Sequence, residues 1–296
     1  MENFCYLVFA ESLYTIKKFN NMFIILPFHP SHYRRNFMDL ETIKIEKQDG
    51  IGKIILNRPD KRNAINAEMF RDIGEAARIV SDDNEVKVVI LTGAGPVFSA
   101  GIDFSSMGAL GGASSRIFRD ILKKSQVNYG LLESMEKPVI AAINGAAIGA
   151  GLEMALCCDI RIAAENARMG VPEVCFGLVP DLGGAQRLPR IVGLGRAKEL
   201  IFTGRIIDAK EAERIGLVNK VVPADKLMDA ALEMANEIKD NGLIAVGLAK
   251  KIANKSMEID MESVLEYSIL AQEICVRTED MATLFQRYME KKSKKK

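Results

Sequence analysis

Glu153 follows Gly149, Ala150 and Gly151 and is flanked by Leu152, Met154, Ala155 and Leu156, so it is the one charge in an apolar stretch that reads as a helix start. The small residues before it let a ligand or a second backbone approach closely, and the first turn of a helix offers unpaired NH groups that favour negative charge. Such a place suits an oxyanion and an acid that moves protons. For a lone glutamate the bland reading is a cap or a hidden salt bridge. Glu173, between Pro172 and Val174, is a second carboxylate in apolar company. Asp181 follows Pro180 just before Gly183 and Gly184; alone it reads as a helix cap. The loop Phe98, Ser99, Ala100, Gly101, Ile102, Asp103 could present a further NH to the same oxygen, although an isolated Ala-Gly step is ordinarily a strand-to-helix turn.

The elements that must position these groups alternate β and α. Ile43 and Ile45, then Ile51, Ile54 and Leu56, around Gln48, Asp49 and Gly50, predict a β-hairpin. Asn66 is placed to cap a helix running to about Val80, and Val86 to Leu91 reads as a buried strand. A helix near Ser115 to Met135, a strand at Val139 to Ile143, the short helix near Gly149 to Cys157 and a strand at Ile160 to Ala163 continue the pattern. Loops are expected around Gly170 and Pro180. After Asp208 the texture is helical, apart from a strand at Leu217 to Val222, with helices after Pro223 and near 243–254, 261–276 and 280–291. We therefore divide the chain into residues 1–37, a catalytic core over 38–207 and a mainly helical region over 208–296.

Composition narrows the function classes. Lys+Arg 40 against Asp+Glu 39 leaves no global field to attract nucleic acid or an acidic membrane, so a charged partner must be recognised locally. The five cysteines are odd in number and unevenly spaced, which reads as free thiols in a reducing, cytoplasmic setting. Adjacent Cys157 and Cys158 have no second ligand pair at metal-binding spacing, and His29 and His32 lie far upstream, so no metal is expected. Residues 1–37 hold nine of the 19 Phe and Tyr residues and both histidines. Their longest apolar run, Met22 to Leu26, is far too short to span a bilayer. Regular strand patterning begins at Glu41, and we expect Met38 to be the natural start and 1–37 an upstream extension; mass spectrometry of the natural N-terminus tests this.

Taken in order, Asn57-Arg58-Pro59 with Asn63 and Ala64, Ser99-Ala100-Gly101-Ile102-Asp103, the stretch from Ala141 to Ile160, Pro172-Glu173 and Gly183-Gly184-Ala185-Gln186-Arg187-Leu188-Pro189 resemble the crotonase, or enoyl-CoA hydratase/isomerase, superfamily from about Thr42 to Lys291. The resemblance implies an α/β fold, a spiral of ββα units with a helical C-terminal region, assembled as homotrimers or dimers of trimers. It implies an acyl-CoA thioester substrate from fatty acid metabolism and no separate cofactor. By motif position, the NH groups of Ile102 and Ala150 form an oxyanion hole on the thioester carbonyl; Ala150 stands where the family often has Gly, which leaves the NH available. Ala100, Gly101, Asp103 and Gly149 line the same place. Glu153 and Glu173 fall at the two acid/base positions of the hydratases, 173 − 153 = 20 residues apart. Two carboxylates facing one water cannot both ionise freely, so one keeps a proton near neutrality and the pair titrates as a unit. Arg58, Lys61 and Arg62 are candidates for CoA phosphates, with solvated surface charge as the equal alternative.

The leading expectation is reversible addition of water across the 2,3 double bond of a trans-2-enoyl-CoA. Asp181 marks the alternative, because dienoyl-CoA isomerases and some acyl-CoA hydrolases resemble this chain in having Asp there; a dienoyl-CoA or 3-enoyl-CoA isomerase would use Glu173 and Asp181 as proton carriers. The isomerases usually have Asp at position 153, which favours hydration. An acyl-CoA hydrolase, or a non-catalytic acyl-CoA-binding scaffold, ranks below both, since a scaffold has no need of two glutamates. The stretch Phe104 to Arg119, with Gly108, Gly111 and Gly112, is expected to form the variable wall that sets acyl-chain length.

Overall fold

A computed structural model of the protein describes residues 5–9, 12–19, 22–27, 40–105, 112 and 114–293. Two units separate by compactness, Met1–Asp39 and Leu40–Lys296. In the first, β1 (Cys5–Phe9), β2 (Ser12–Phe19) and β3 (Met22–Pro27) form an antiparallel meander in the order β1-β2-β3. Strand structure thus begins well before Glu41. The runs Tyr14-Thr15-Ile16 and Phe23-Ile24-Ile25 are strong β-formers even without the strict alternation that the patterning argument sought.

The second unit is built on a six-stranded sheet. Its strands are β4 (Ile43–Gln48), β5 (Ile51–Leu56), β6 (Val88–Gly93), β7 (Val139–Ile143), β9 (Ile160–Ala164) and β12 (Lys220–Val222), in the order β12-β9-β7-β6-β5-β4. Only the β4–β5 hairpin is antiparallel. Its turn places Asp49 at φ 51° and Gly50 at φ 80°. Every residue of β6 and β7 is buried, because both faces of the sheet are covered; such strands read as unbroken apolar runs rather than alternations. Val89, Leu91, Ala141 and Ile143 point to the larger core, while Val88, Ile90, Ile140 and Ala142 meet Leu227, Ala230, Ala231 and Ala235 of the Leu227–Lys239 helix.

Between visits to this sheet the chain makes a second, shorter layer. After β5 comes Ile65, which bridges in parallel to Ile102; after β6 comes Ser99, which bridges to Ala147 of β8 (Ala147–Ile148); after β9 comes β10 (Arg168–Gly170), parallel to β8 and antiparallel to β11 (Ile207–Asp208). Each turn therefore contributes one long strand and one short one, in the same spatial order, and this is the ββα spiral in mixed α/β form. The short layer is where the candidate site residues lie.

The helix Ala67–Asp82 starts at Asn66, whose side chain accepts from the Met69 NH, as the capping argument requires. Helices Ser115–Ser134, Ala150–Leu156, Leu243–Lys255, Met261–Cys275 and Glu279–Ser293 match the expected stretches closely. The loop expected around Gly170 is instead the end of β10, and the loop expected around Pro180 is present at 178–183; the helices that follow it, Gly184–Val192 and Leu194–Thr203, were not foreseen. Pro189 obscured the first, yet a proline in the sixth position of a nine-residue helix is accommodated. The strand expected from Leu217 is confined to 220–222, because Leu217 NH and Val218 NH instead donate to the Ala212 carbonyl. Among the described residues no helix is long and apolar enough to cross a membrane.

Candidate active site

Glu153 lies in the first turn of the Ala150–Leu156 helix, all seven residues of which are buried. Gly149 precedes it at φ 54°, ψ −126°, a conformation that β-carbons disfavour, and donates its NH to the Gly170 carbonyl at 2.8 Å. The Glu153 side chain is 1% exposed. Its Oε1 accepts two main-chain hydrogen bonds, from Leu182 NH at 2.9 Å and Gly184 NH at 2.7 Å. Burial pushes the Glu153 carboxyl up to about 8; the Gly184 NH opposes that rise, Glu173 and Asp181 add to it, and the Leu182 NH again opposes it.

Glu173 stands in the first turn of a short 3-10 helix, Pro172–Phe176, whose Pro172 occupies the first helical position, where a missing NH is harmless. That helix leaves directly from β10, just as the Glu153 helix leaves from β8, so the parallel pairing of Ile148 with Gly170 brings the two acids to the same end of adjacent short strands. The Glu173 carboxyl is raised by burial, with Asp181 adding to the effect, and its Oε2 is buried with no hydrogen-bond partner among the described residues. A buried carboxylate oxygen left open in this way is available to a ligand or water. Asp181 is also raised by burial, and its main-chain carbonyl accepts from Gln126 Nε2 at 2.7 Å. The structure therefore brings Glu153, Glu173 and Asp181 into one electrostatically coupled group.

The Ser99–Asp103 loop lies against β8. Ser99 NH donates to the Ala146 carbonyl at 2.9 Å and the Ile148 NH to the Ser99 carbonyl at 3.0 Å. Two glycines permit this approach: a β-carbon on Gly151 would sit 2.7 Å from the Ser99 side chain, and one on Gly101, at φ 90°, would sit 2.7 Å from the Ile148 carbonyl and 3.8 Å from the Ala150 nitrogen. Beyond Gly101 the bridge to Ile65 uses the Gly101 carbonyl and the Asp103 NH. Ile102, between them, is half-buried and its NH has no acceptor among the described residues; nor has that of Ala150. Two NH groups without an acceptor among the described residues thus stand one on the Ser99–Asp103 loop and one at the start of the Glu153 helix.

The remaining expected residues are placed differently. Arg58 and Asp103 hold one another, with Nη1 to Oδ2 at 3.0 Å, and Arg58 Nη1 also donates to the Ala64 carbonyl at 2.5 Å. The pair ties the Asn57-Arg58-Pro59 turn to the Ser99–Asp103 loop. Lys61 is exposed at the end of the Pro59–Lys61 turn, and Ala100 is exposed with its NH donated to the Arg62 carbonyl. Of the expected acyl-chain wall from Phe104 to Arg119, residues 106–111 and 113 lie outside the described residues and 115–119 open the Ser115–Ser134 helix; Phe104 itself is exposed and packs its ring 5.4 Å from Phe176. Cys157 and Cys158 are buried free thiols, and no cluster among the described residues has the composition of a metal site.

Sequence reasoning passed over Leu182 and Gly184 as the partners of Glu153. The signal was Gly183-Gly184: a β-carbon on Gly184 would stand 2.9 Å from Glu153 Oε1, so glycine there marks the close approach of a side chain. It also passed over Tyr129, fully buried, whose hydroxyl donates to the Ala150 carbonyl at 3.2 Å.

Comparison with known proteins shows the family and the fold. The family model described as Enoyl-CoA hydratase/isomerase matches residues 46–295. A short-chain-enoyl-CoA hydratase of Clostridium acetobutylicum is 43% identical over 256 residues, covering 86% of this chain and 97% of that protein. A crotonyl-CoA hydratase of Syntrophomonas wolfei is 42% identical with the same coverage of 86% and 97%. The crystal structure of an enoyl-CoA hydratase from Bacillus anthracis superposes with a TM-score of 0.80 at 38% identity, covering 85% of this chain and 97% of that one.

Proposed function

The chain belongs to the enoyl-CoA hydratase/isomerase family and is an enoyl-CoA hydratase, a hydro-lyase, and from that premise we propose how its own residues carry the reaction. The observation that supports the mechanism is a single one: Glu153, with a carboxyl pushed up to about 8 by burial, coupled to Glu173 beside the two unpaired NH groups of Ile102 and Ala150. The thioester carbonyl of a trans-2-enoyl-CoA accepts from both NH groups. One carboxylate of the pair takes a proton from water as the water oxygen bonds to C3. The π electrons of the double bond move through C2 to the thioester oxygen, where the two donors stabilise the enolate. The other carboxyl, protonated, delivers its proton to C2, and the 3-hydroxyacyl-CoA is complete with the atoms of one water added. Preorganised donors of this kind are worth roughly 3–4 kcal/mol each. General acid–base transfer by positioned carboxyls contributes roughly 10²–10⁴-fold.

No electron changes hands in this addition, so the mechanism has no need of a redox cofactor, and CoA enters only as part of the substrate. The names of the two relatives favour short acyl chains, crotonyl-CoA first. Free thiols at Cys157, Cys158, Cys175 and Cys275 fit a cytoplasmic enzyme. Exposed Leu194, Phe202, Met261, Leu265 and Ile269 fit a homotrimer or dimer of trimers, which light scattering on the purified protein measures. Loss of the enoyl chromophore on adding the protein to crotonyl-CoA tests the reading; no loss with crotonyl-CoA or longer enoyl-CoAs removes it.

The alternative reading rests on Asp181, whose charge acts on both Glu153 and Glu173. With Glu173 it would carry a proton between carbons of a 3-enoyl-CoA or dienoyl-CoA, moving the double bond. If Asp181→Asn leaves turnover of every accepted dienoyl-CoA unchanged, that alternative fails.

A further inference from the structure

The Ser115–Ser134 helix is seated tightly on Ala67–Asp82: a β-carbon on Gly74 would stand 2.4 Å from the Asn128 side chain, and Asn128 Nδ2 donates to the Phe70 carbonyl at 2.8 Å. Gln126, Tyr129 and Glu133 follow one another at helical spacing and share a face. All three bond to segments that carry or adjoin the site residues. Gln126 holds the Asp181 carbonyl, Tyr129 holds the Ala150 carbonyl, and Glu133 holds Arg187, with Arg187 Nη2 donating to Oε2 at 2.6 Å and Nε lying 3.2 and 3.3 Å from the two carboxylate oxygens.

Arg187 then curls back over the start of its own helix. Its NH donates to the Gly183 carbonyl at 2.8 Å and Nη1 donates to the Leu182 carbonyl at 3.3 Å. Gly183 is at φ 117°, and a β-carbon there would stand 1.6 Å from Nη1, so the guanidinium presses its Nη1 end against that residue. The peptide it grips, Leu182 to Gly183, is the one between the two peptides whose NH groups bind Glu153 Oε1.

We propose that Arg187, anchored by Glu133, is a positioning residue for Glu153: it fixes the Leu182–Gly184 turn from the outside so that both NH groups stay on Oε1. Its catalytic consequence rests on the hydratase reading above. Releasing the turn weakens two bonds that favour the ionised carboxylate, and removing the guanidinium withdraws a positive charge acting in the same direction, so Glu153 must titrate higher.

The test is Arg187→Met in the full chain, which keeps the stem and removes the fork. Glu153 is titrated in the substrate-free protein by carboxyl 13C NMR, with Glu153→Gln identifying its signal, and kcat and KM are measured on crotonyl-CoA. The expected result is an upward move of the Glu153 titration and a fall in kcat on the order of 10²-fold with KM little changed. A folded variant in which Glu153 titrates as before, or in which kcat is unchanged, overturns the proposal. Should Arg187→Met fail to fold, Glu133→Gln, at a carboxylate with 41% of its side chain exposed, is read by the same titration and the same overturning result. If the unmodified protein hydrates no enoyl-CoA, the functional reading falls, while the titration still decides whether Arg187 positions Glu153.

Discussion

A β-carbon on Gly149 would stand 2.6 Å from Oε1 of Glu173, so the second acid rests against the residue that opens the helix of the first. Gly149→Ala must both strain the backbone, at φ 54°, and displace Glu173. We expect a stability loss of about 1–3 kcal/mol in urea denaturation and a fall in kcat larger than that loss alone explains.

Removing either acid should stop proton transfer while leaving binding of the thioester intact. Glu153→Gln and Glu173→Gln are each expected to lower kcat on crotonyl-CoA by roughly 10²–10⁴-fold with modest changes in KM. The double variant should lose little more than the worse single one, because the two act as a unit; additive losses would contradict a shared step.

The raised Glu153 carboxyl also makes a stability prediction whose sign is fixed. Its folded pKa of about 8 lies above the ordinary 4.5, so between those values the folded state binds more protons than the unfolded one. Its contribution is fully favourable below about 4.5 and is lost as pH rises through about 8. Glu153→Gln should therefore gain stability relative to the parent as pH is raised from 5 to 9, with a limiting slope of roughly 1.4 kcal/mol per pH unit and a total of a few kcal/mol. Urea midpoints at a series of pH values measure it; a pH-independent difference would mean that Glu153 titrates near its ordinary value.

Gly101→Ala should push the Ser99–Asp103 loop away from β8 and the start of the Glu153 helix, since the added carbon would meet the Ile148 carbonyl at 2.7 Å. If the two NH groups form the oxyanion hole, kcat falls roughly 10²–10³-fold. Affinity for a saturated acyl-CoA, measured by calorimetry, should fall far less.

Arg58 offers a choice between two roles. Its side chain is 19% exposed and paired to Asp103, 16% exposed, so Arg58→Met is expected to lower stability by about 1–3 kcal/mol and to reduce kcat by loosening the Ser99–Asp103 loop. A rise in KM confined to CoA thioesters, with none for a pantetheine analogue lacking the nucleotide, would instead mark Arg58 as a phosphate contact.

Much of this was legible in the chain itself. The hairpin, the Asn66 cap and the strand at Val139–Ile143 follow from local patterns whose causes are local, and they stand where those patterns put them. Glu153 was visible because a charge among Leu152, Met154 and Ala155 demands an explanation. Its partners were not, since the Leu182 and Gly184 NH groups come from a segment 29 and 31 residues onward, brought back by tertiary packing. The helices at Gly184–Val192 and Leu194–Thr203 were hidden by Pro189 and by the glycines that serve as their caps. The pairing of Arg58 with Asp103 spans 45 residues, and no local pattern could distinguish it from two solvated charges.

The register of β8 on β10, Ile148 opposite Gly170, has a consequence for how the enzyme can vary. The interval of 20 residues between the two acids does not set their separation; one hydrogen-bonded step between short strands does. The exposed turn at Glu165 and Asn166 can therefore lengthen by insertion while both carboxyls stay in place. A slip of a single residue in the pairing, with the length unchanged, would shift β10 about 3.3 Å along the strand direction, turn its side chains to the opposite face and displace the short helix that carries Glu173.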